Sequence, residues 1–161
     1  MAADPVAAPD DLWNAPPPAE YRPLLAQMRT QQEAGDYEFV VKTSLLLELT
    51  FAQLYGELHP YTVNMLSLRA WLTNQRGEDW ADVVETFLAT VERRRKAGAP
   101  ATDTERMAVD AYRAWRKLTQ DDPERALKTA TALVEALDHD ERRANAVITW
   151  SEERLRLPYP G

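Results

Sequence analysis

The residues that could carry catalysis are few in this chain. It has two histidines, His59 and His139, three serines and no cysteine. None of the serines stands in a recognisable nucleophile–base motif, and the sequence has no glycine-rich loop that could cradle a phosphate. Without cysteine, thiolate catalysis and disulfide bonds are excluded. The sequence therefore predicts a protein that is not an enzyme and that needs no cofactor.

Two charged segments offer binding chemistry instead. The segment 138–141 contains His139 between acidic residues and could hold a metal ion, but helix capping at a break between two helices also explains it. The basic run from Arg93 to Lys96 could contact nucleic acid, although cations at the C-terminal end of a helix are already stabilised by the helix dipole. The net charge of −7 opposes binding to phosphates. We therefore expect neither a metal ion nor a nucleic acid as a ligand.

Composition favours one globular domain. Hydrophobic residues make up 45% of the 161 residues and charged residues 28%. The acidic, proline-broken N-terminus does not resemble a secretory signal. The most apolar stretch, residues 44–55, is shorter than the roughly 20 apolar residues that a membrane-spanning helix requires. The sequence predicts a cytoplasmic protein that does not bind membranes.

The chain divides into a short arm, a helical domain and a tail. Residues 1–18 hold five prolines, which predict an extended or disordered arm with Leu12 and Trp13 as its only bulky apolar pair. Residues 19–157 carry the helical pattern, and residues 158–161 form a short tail. Alternation typical of strands is absent, so the predicted class is all-α.

Seven helices are predicted from start and stop signals within residues 19–157. They begin near residues 19, 36, 60, 80, 102, 123 and 140, and glycines 35, 77 and 98 end three of them. The fifth begins with Thr102 and Glu105 at capping-box spacing. The second has apolar residues around most of its circumference and is predicted to be the most buried helix. In the last helix, Ala144, Val147, Ile148 and Leu155 are predicted to face inward.

The junctions between helices repeat along the chain. Gly35 and Gly77 are 42 residues apart, and Asp121 follows Gly77 by 44. The flanks of the three junctions agree, with Met28, Ala70 and Ala114 seven residues before them and Val40, Val83 and Ala126 a few residues after. Two tryptophans, Trp71 and Trp115, also stand in register. A hairpin of two helices cannot bury its apolar faces alone, so such a repeat predicts stacked hairpins.

The chain resembles the tetratricopeptide repeat (TPR) family over roughly residues 20–137, in the kinesin-light-chain-like variant with a repeat near 42 residues that also occurs in bacterial scaffolds and regulators. The segment His59-Pro60-Tyr61-Thr62 is similar to the opening of such a repeat, and residues 122–127 are similar to the opening of its second helix. The first pair lacks the His-Pro opening, and Asp121 replaces the usual glycine. The resemblance implies an α-α superhelix of about three helical hairpins with a capping helix at the C-terminal end.

In that family, the first helices of successive hairpins line a concave groove that binds a peptide or a partner helix. The resemblance implies that asparagines there bind a peptide backbone, that arginines bind acidic side chains, and that tryptophans act as apolar anchors. The candidate binding residues are Arg22, Arg29, Asn64, Ser67, Trp71, Asn74 and Trp115. The alternative for Trp71 and Trp115 is packing between neighbouring helices.

The predicted function is therefore that of an adaptor or regulatory scaffold that binds another protein or a peptide. Two alternatives remain open at this point. One is a structural homo-oligomer such as a homodimer, and the other is a sensor with a small ligand in an apolar pocket near Trp71 and Trp115. Two interpretations of the arm also remain, a solvated tail or a segment that folds back into the groove as an internal ligand.

Overall fold

All regular structure in the described part of the chain is helical, which confirms the all-α prediction. The structure is a computed structural model that describes residues 9–157, with side-chain surroundings from Leu12 onward. The helices are α1 (Pro9–Asn14), α2 (Arg22–Glu33), α3 (Tyr37–Tyr55), α4 (Pro60–Arg76), α5 (Trp80–Ala97), α6 (Ala101–Asp121), α7 (Pro123–Ala136) and α8 (Glu141–Arg156), with a 3-10 turn at Ala19–Tyr21. No helix within residues 9–157 combines the length and hydrophobicity that crossing a membrane requires. Residues 1–8 of the predicted arm and the tail 158–161 lie outside the described residues.

The three repeated junctions are built alike. Each ends one helix and places an aspartate, Asp36, Asp79 or Asp122, at the cap of the next helix. In each case, a side-chain oxygen accepts from the backbone N–H three residues later, at 3.1, 3.2 and 3.1 Å respectively. Such caps satisfy backbone donors that the first turn of a helix leaves unpaired. The same capping chemistry therefore recurs every 43 residues, since 79 − 36 and 122 − 79 are both 43.

Each helix from α2 onward packs mainly against the next one in sequence. The one further extensive contact between these helices within residues 9–157 joins α5 to α7, and α1 lies on α4. One buried cluster is shared by α2, α3 and α4 and surrounds Phe51, while a second is shared by α4 through α8 and includes Phe87 and Trp115. Extensive contact is absent between α2–α3 and α7–α8 in this part of the chain. The helices thus form an open row, with α4 as the helix that contributes to both clusters.

The prediction that the helix at residues 36–55 is the most buried is wrong. One side of α3 packs on α2 and α4 through residues such as Val40, Leu47 and Phe51. The other side exposes Leu45, Leu46 and Leu49, and Leu46 keeps 61% of its surface in solvent. The apolar sequence allowed burial on every side, but no described element covers the second side.

Two smaller predictions also fail, one on the inward face of α8 and one at the start of α6. In α8, Val147 is buried as predicted, but Ile148 is exposed and Leu155 is 71% exposed, because α8 packs mainly on α7 and no described element covers its outer side. The capping box at Thr102 does not form, since α6 begins one residue earlier behind Pro100, which makes no side-chain cap. The helix predicted to begin near residue 123 does so, with Pro123 at its first position behind Asp122.

Candidate functional site

The segment around Trp13 lies on α4. Residues 9–14 form a helix where the prolines predicted extended or disordered chain, and Trp13 is only 9% exposed. The side-chain amide of Asn64 donates to the backbone oxygen of Trp13, with 3.1 Å between the two atoms. The last carbonyls of a short helix have no partner within it, so Asn64 supplies a donor that α1 itself lacks.

Arg94, in the last turn of α5, lies beneath the ring of Trp13. Its guanidinium carbon is 5.7 Å from the ring centroid, within the range of a cation–π interaction. The guanidinium donates to Thr104 Oγ1 at 2.9 Å and to Ser67 Oγ at 3.2 Å. Only 4% of Arg94 is exposed, and burial lowers the pKa of its guanidinium. No carboxylate of a described residue forms an ion pair with Arg94, although an arginine remains charged in proteins.

We call Asn64, Ser67, Arg94 and Thr104 the Trp13 seat. These residues come from α4, the end of α5 and the start of α6. In the described chain α4 and α6 make no extensive direct contact, so Arg94 bridges the space between them through the two hydroxyl groups. The seat is therefore a small cluster of polar side chains that the aromatic ring of Trp13 covers on one side.

The remaining predicted site residues are distributed over different surroundings. Trp71 follows Asn64 along one face of α4 and is 41% exposed, and Asn74 on the same face is half-buried. Arg22 and Arg29 are exposed on α2, which makes no extensive contact with α4 in the described chain.

Trp115 belongs to the core instead. Its indole nitrogen donates to the backbone oxygen of Ala126 at 2.9 Å, and its ring meets Trp150 edge-on with centroids 5.1 Å apart. Both contacts come from the helices that follow α6, and they leave only 3% of Trp115 exposed. A ligand on the surface cannot reach this ring.

The basic run at the end of α5 forms contacts within the protein. Arg93 contacts α3 through Glu48, and Arg94 contacts α4 and α6. Arg95 donates to the backbone oxygens of residues 135 and 136 at the end of α7, and pairs with Asp138 at 2.9 Å. Three consecutive arginines thus fasten α5 to different neighbours, which explains the run without nucleic acid.

Glu48 is a buried carboxylate between two arginines. It is 5% exposed, and its Oε2 accepts from Arg69 Nε at 3.1 Å and lies 3.0 Å from the second nitrogen of that side chain. Its Oε1 accepts from Arg93 at 3.0 Å. The group joins α3, α4 and α5 with both of its oxygens occupied, so it stabilises the fold and offers no reactive carboxylate.

An open basic cleft was missed by sequence reasoning. It has a volume of about 530 Å³ and is lined by Trp80, Arg113, Arg116, Lys117, Gln120 and Asp121. The ammonium of Lys117 lies 4.0 Å from the ring centroid of Trp80. The spacing of the basic residues on α6 is visible in the sequence, but the sequence does not indicate that Trp80 of α5 lies beside them. The cleft is open to solvent, and its lining contains neither Trp71 nor Trp115.

The two histidines do not form a metal site in the described chain. No group of three metal-ligating side chains is found among residues 12–157. His59 caps α4, because its Nδ1 accepts from the backbone N–H of Tyr61 at 3.1 Å. Burial lowers the pKa of His59, which favours the neutral imidazole that can accept this bond.

The chain matches no family model, no curated protein and no solved structure.

Proposed function

We propose that this chain is a non-catalytic adaptor or regulatory scaffold that holds a peptide or a helix of a partner protein against α4. The observation that carries the proposal is the bond from Asn64 to the backbone oxygen of Trp13. A side-chain amide that binds a backbone carbonyl does not depend on the side chain of that residue. The same asparagine can therefore bind other segments that present a free carbonyl.

Trp71 gives this surface an anchor for a partner side chain. It lies two turns beyond Asn64, about 10 Å along the helix axis. A tryptophan with 41% of its surface exposed is a large apolar group in contact with water. Tryptophan is enriched among the few interface residues that supply most of the binding energy. A backbone acceptor and an aromatic anchor on one helix face match the chemistry of an extended or helical ligand.

We also propose a tetratricopeptide-like superhelix as the architecture. The six positions that repeat around the junctions are all buried, namely Met28, Ala70, Ala114, Val40, Val83 and Ala126. Contacts between consecutive helices are what stacked hairpins require. In this arrangement α8 is the capping helix, which agrees with its packing mainly on α7 and with its exposed Leu155.

Replacing Trp71 with alanine should weaken partner binding by about tenfold or more, because truncation of an anchoring tryptophan commonly costs about 2 kcal/mol. The measurement is affinity capture from the source cell with the tagged full chain as bait, quantified by mass spectrometry. Leu155→Ala is the matched control, since Leu155 is also a large exposed apolar residue but lies on α8. Equal recovery of the same partner by the wild-type chain and by Trp71→Ala would contradict the proposal.

A second candidate function is assembly with another copy of the chain. The exposed leucines of α3, Leu45, Leu46 and Leu49, favour it because contiguous exposed apolar surface often marks an interface. Light scattering on the purified protein decides this alternative. A monomer at high concentration would eliminate it and leave the binding function of α4 unaffected.

A further inference from the structure

We propose that the Trp13 seat is the recognition site for an aromatic residue of the partner, and that the segment Leu12–Trp13 of this chain competes for it. The inference rests on the proposed function and specifies the ligand. The partner segment is expected to carry a tryptophan or another large aromatic residue with a carboxylate close to it in sequence. In the free protein, the seat is filled by the chain's own tryptophan.

The floor of the seat explains why it takes an aromatic ring. A buried charge is costly unless its lost hydration is replaced. The hydroxyls of Ser67 and Thr104 accept two of the N–H groups of Arg94. The face of Trp13 adds a favourable interaction with the charge, and tryptophan is the strongest partner for a cation among the aromatic residues. An aliphatic side chain would cover the same surface without interacting with the charge.

Among the residues whose side chains the structure describes, none forms an ion pair with Arg94, and this favours a ligand that brings a carboxylate. Arg69, Arg93 and Arg95 all have carboxylate partners in the structure, whereas the described hydrogen-bond acceptors of Arg94 are two neutral hydroxyls, and the charge of Asp103 acts on it without an ion pair. A ligand carboxylate beside the seat would add a charge-assisted bond that the described contacts lack. The sequence of the internal segment has this composition, since Asp10 and Asp11 immediately precede Leu12 and Trp13.

The attachment of α1 is slight enough to be exchanged. This helix has six residues, far fewer than an isolated helix needs for stability, and α4 is the one helix with which it makes extensive contact within the described residues. Two contacts of α1 with the seat are described. One is the hydrogen bond from Asn64, and the other is the cation–π contact between the Trp13 ring and Arg94. Residues 15–18 that follow it include three prolines without backbone donors. Local opening of such a segment costs far less than unfolding of the domain.

The test uses a fluorescein-labelled peptide with the sequence of residues 9–15, Pro-Asp-Asp-Leu-Trp-Asn-Ala, as the probe. It is titrated with the full wild-type chain and with full-length Trp13→Ala, and fluorescence anisotropy is read. A tethered segment competes at an effective concentration of about 1 mM. The probe binds only those molecules whose seat is empty, so its apparent affinity falls with the fraction of such molecules. Trp13→Ala should therefore bind the probe about tenfold more tightly than the wild-type chain. Asn64→Ala in the Trp13→Ala background should reverse this gain.

Two probe variants test the chemistry without altering the protein. A probe with alanine in place of its tryptophan should lose binding to both proteins. A probe with both aspartates changed to asparagine should bind several-fold more weakly. Equal affinity of the two proteins, or full binding by the probe without tryptophan, would overturn the inference, and an unchanged affinity of the uncharged probe would overturn the carboxylate preference. Partner capture that still depends on Trp71 would then leave the proposed function standing, so the two failures are distinguishable.

Discussion

Replacing Glu48 with alanine is expected to lower the free energy of unfolding by about 3 kcal/mol. The change leaves Arg69 and Arg93 without their shared carboxylate in a largely buried position. Removal of one partner from a buried ion pair typically costs about 3–5 kcal/mol. The two arginine side chains keep 21% and 30% of their surface in solvent, which lets water replace part of the loss and favours the low end of that range. Urea denaturation followed by circular dichroism measures the effect.

The surface pair of Glu38 with Lys42 provides the control for this measurement. Its side chains are 66% and 74% exposed, so Glu38→Ala should change stability by no more than about 0.5 kcal/mol. Both variants remove a glutamate of α3 from its ion pairing. Glu48 is buried and has two arginine partners on other helices, whereas Glu38 is exposed and has one lysine partner on α3. If Glu48→Ala were as mild as Glu38→Ala, the buried group would have no role in holding α3, α4 and α5 together.

Phe87→Ala is expected to cost about 3–5 kcal/mol, the range for a fully buried phenylalanine whose removal leaves a cavity. Phe87 is 1% exposed and lies in the cluster shared by α4 through α8. The equivalent positions after the other two junctions are occupied by the smaller Ser44 and Ala130, both buried. Phe87 is therefore the largest side chain at this repeated position. Thermal and urea unfolding of the variant report the loss.

Phe87→Leu separates the loss of volume from the loss of the ring. Leucine refills most of the cavity, so this variant should lose less than half as much stability as Phe87→Ala. Leu88→Ala is a second comparison, because Leu88 is adjacent in sequence but only partly buried. Equal effects of all three substitutions would show that packing at this position does not determine stability.

Local signals in the sequence were sufficient for most of the helices. Asp36, Asp79 and Asp122 cap helices because a short acidic side chain reaches the unpaired N–H groups of the first turn. Gly77 adopts a positive φ of 64° after α4, where a side chain would be strained. These interactions span only a few residues, so they can be recognised without knowledge of the fold.

Contacts between distant residues could not be predicted in the same way. Trp13 and Asn64 are 51 positions apart, and nothing near either residue indicates the bond between them. Trp71 and Trp115 lie in register in the sequence, yet only Trp115 is buried, because Trp150 and the backbone of Ala126 cover it. Which side chains remain on the surface therefore depends on the residues that pack against them, and a pattern in the sequence does not specify those contacts.

The three arginines at the end of α5 have a consequence for how the row of helices comes apart. A linear array usually frays from its ends, since each unit contacts only its neighbours. Here a single turn is bonded to α3, α4, α6 and the end of α7. Loss of that turn would remove bonds to α3 and α4 on one side and to α6 and α7 on the other. Unfolding of the end of α5 is therefore expected to destabilise both halves of the row together.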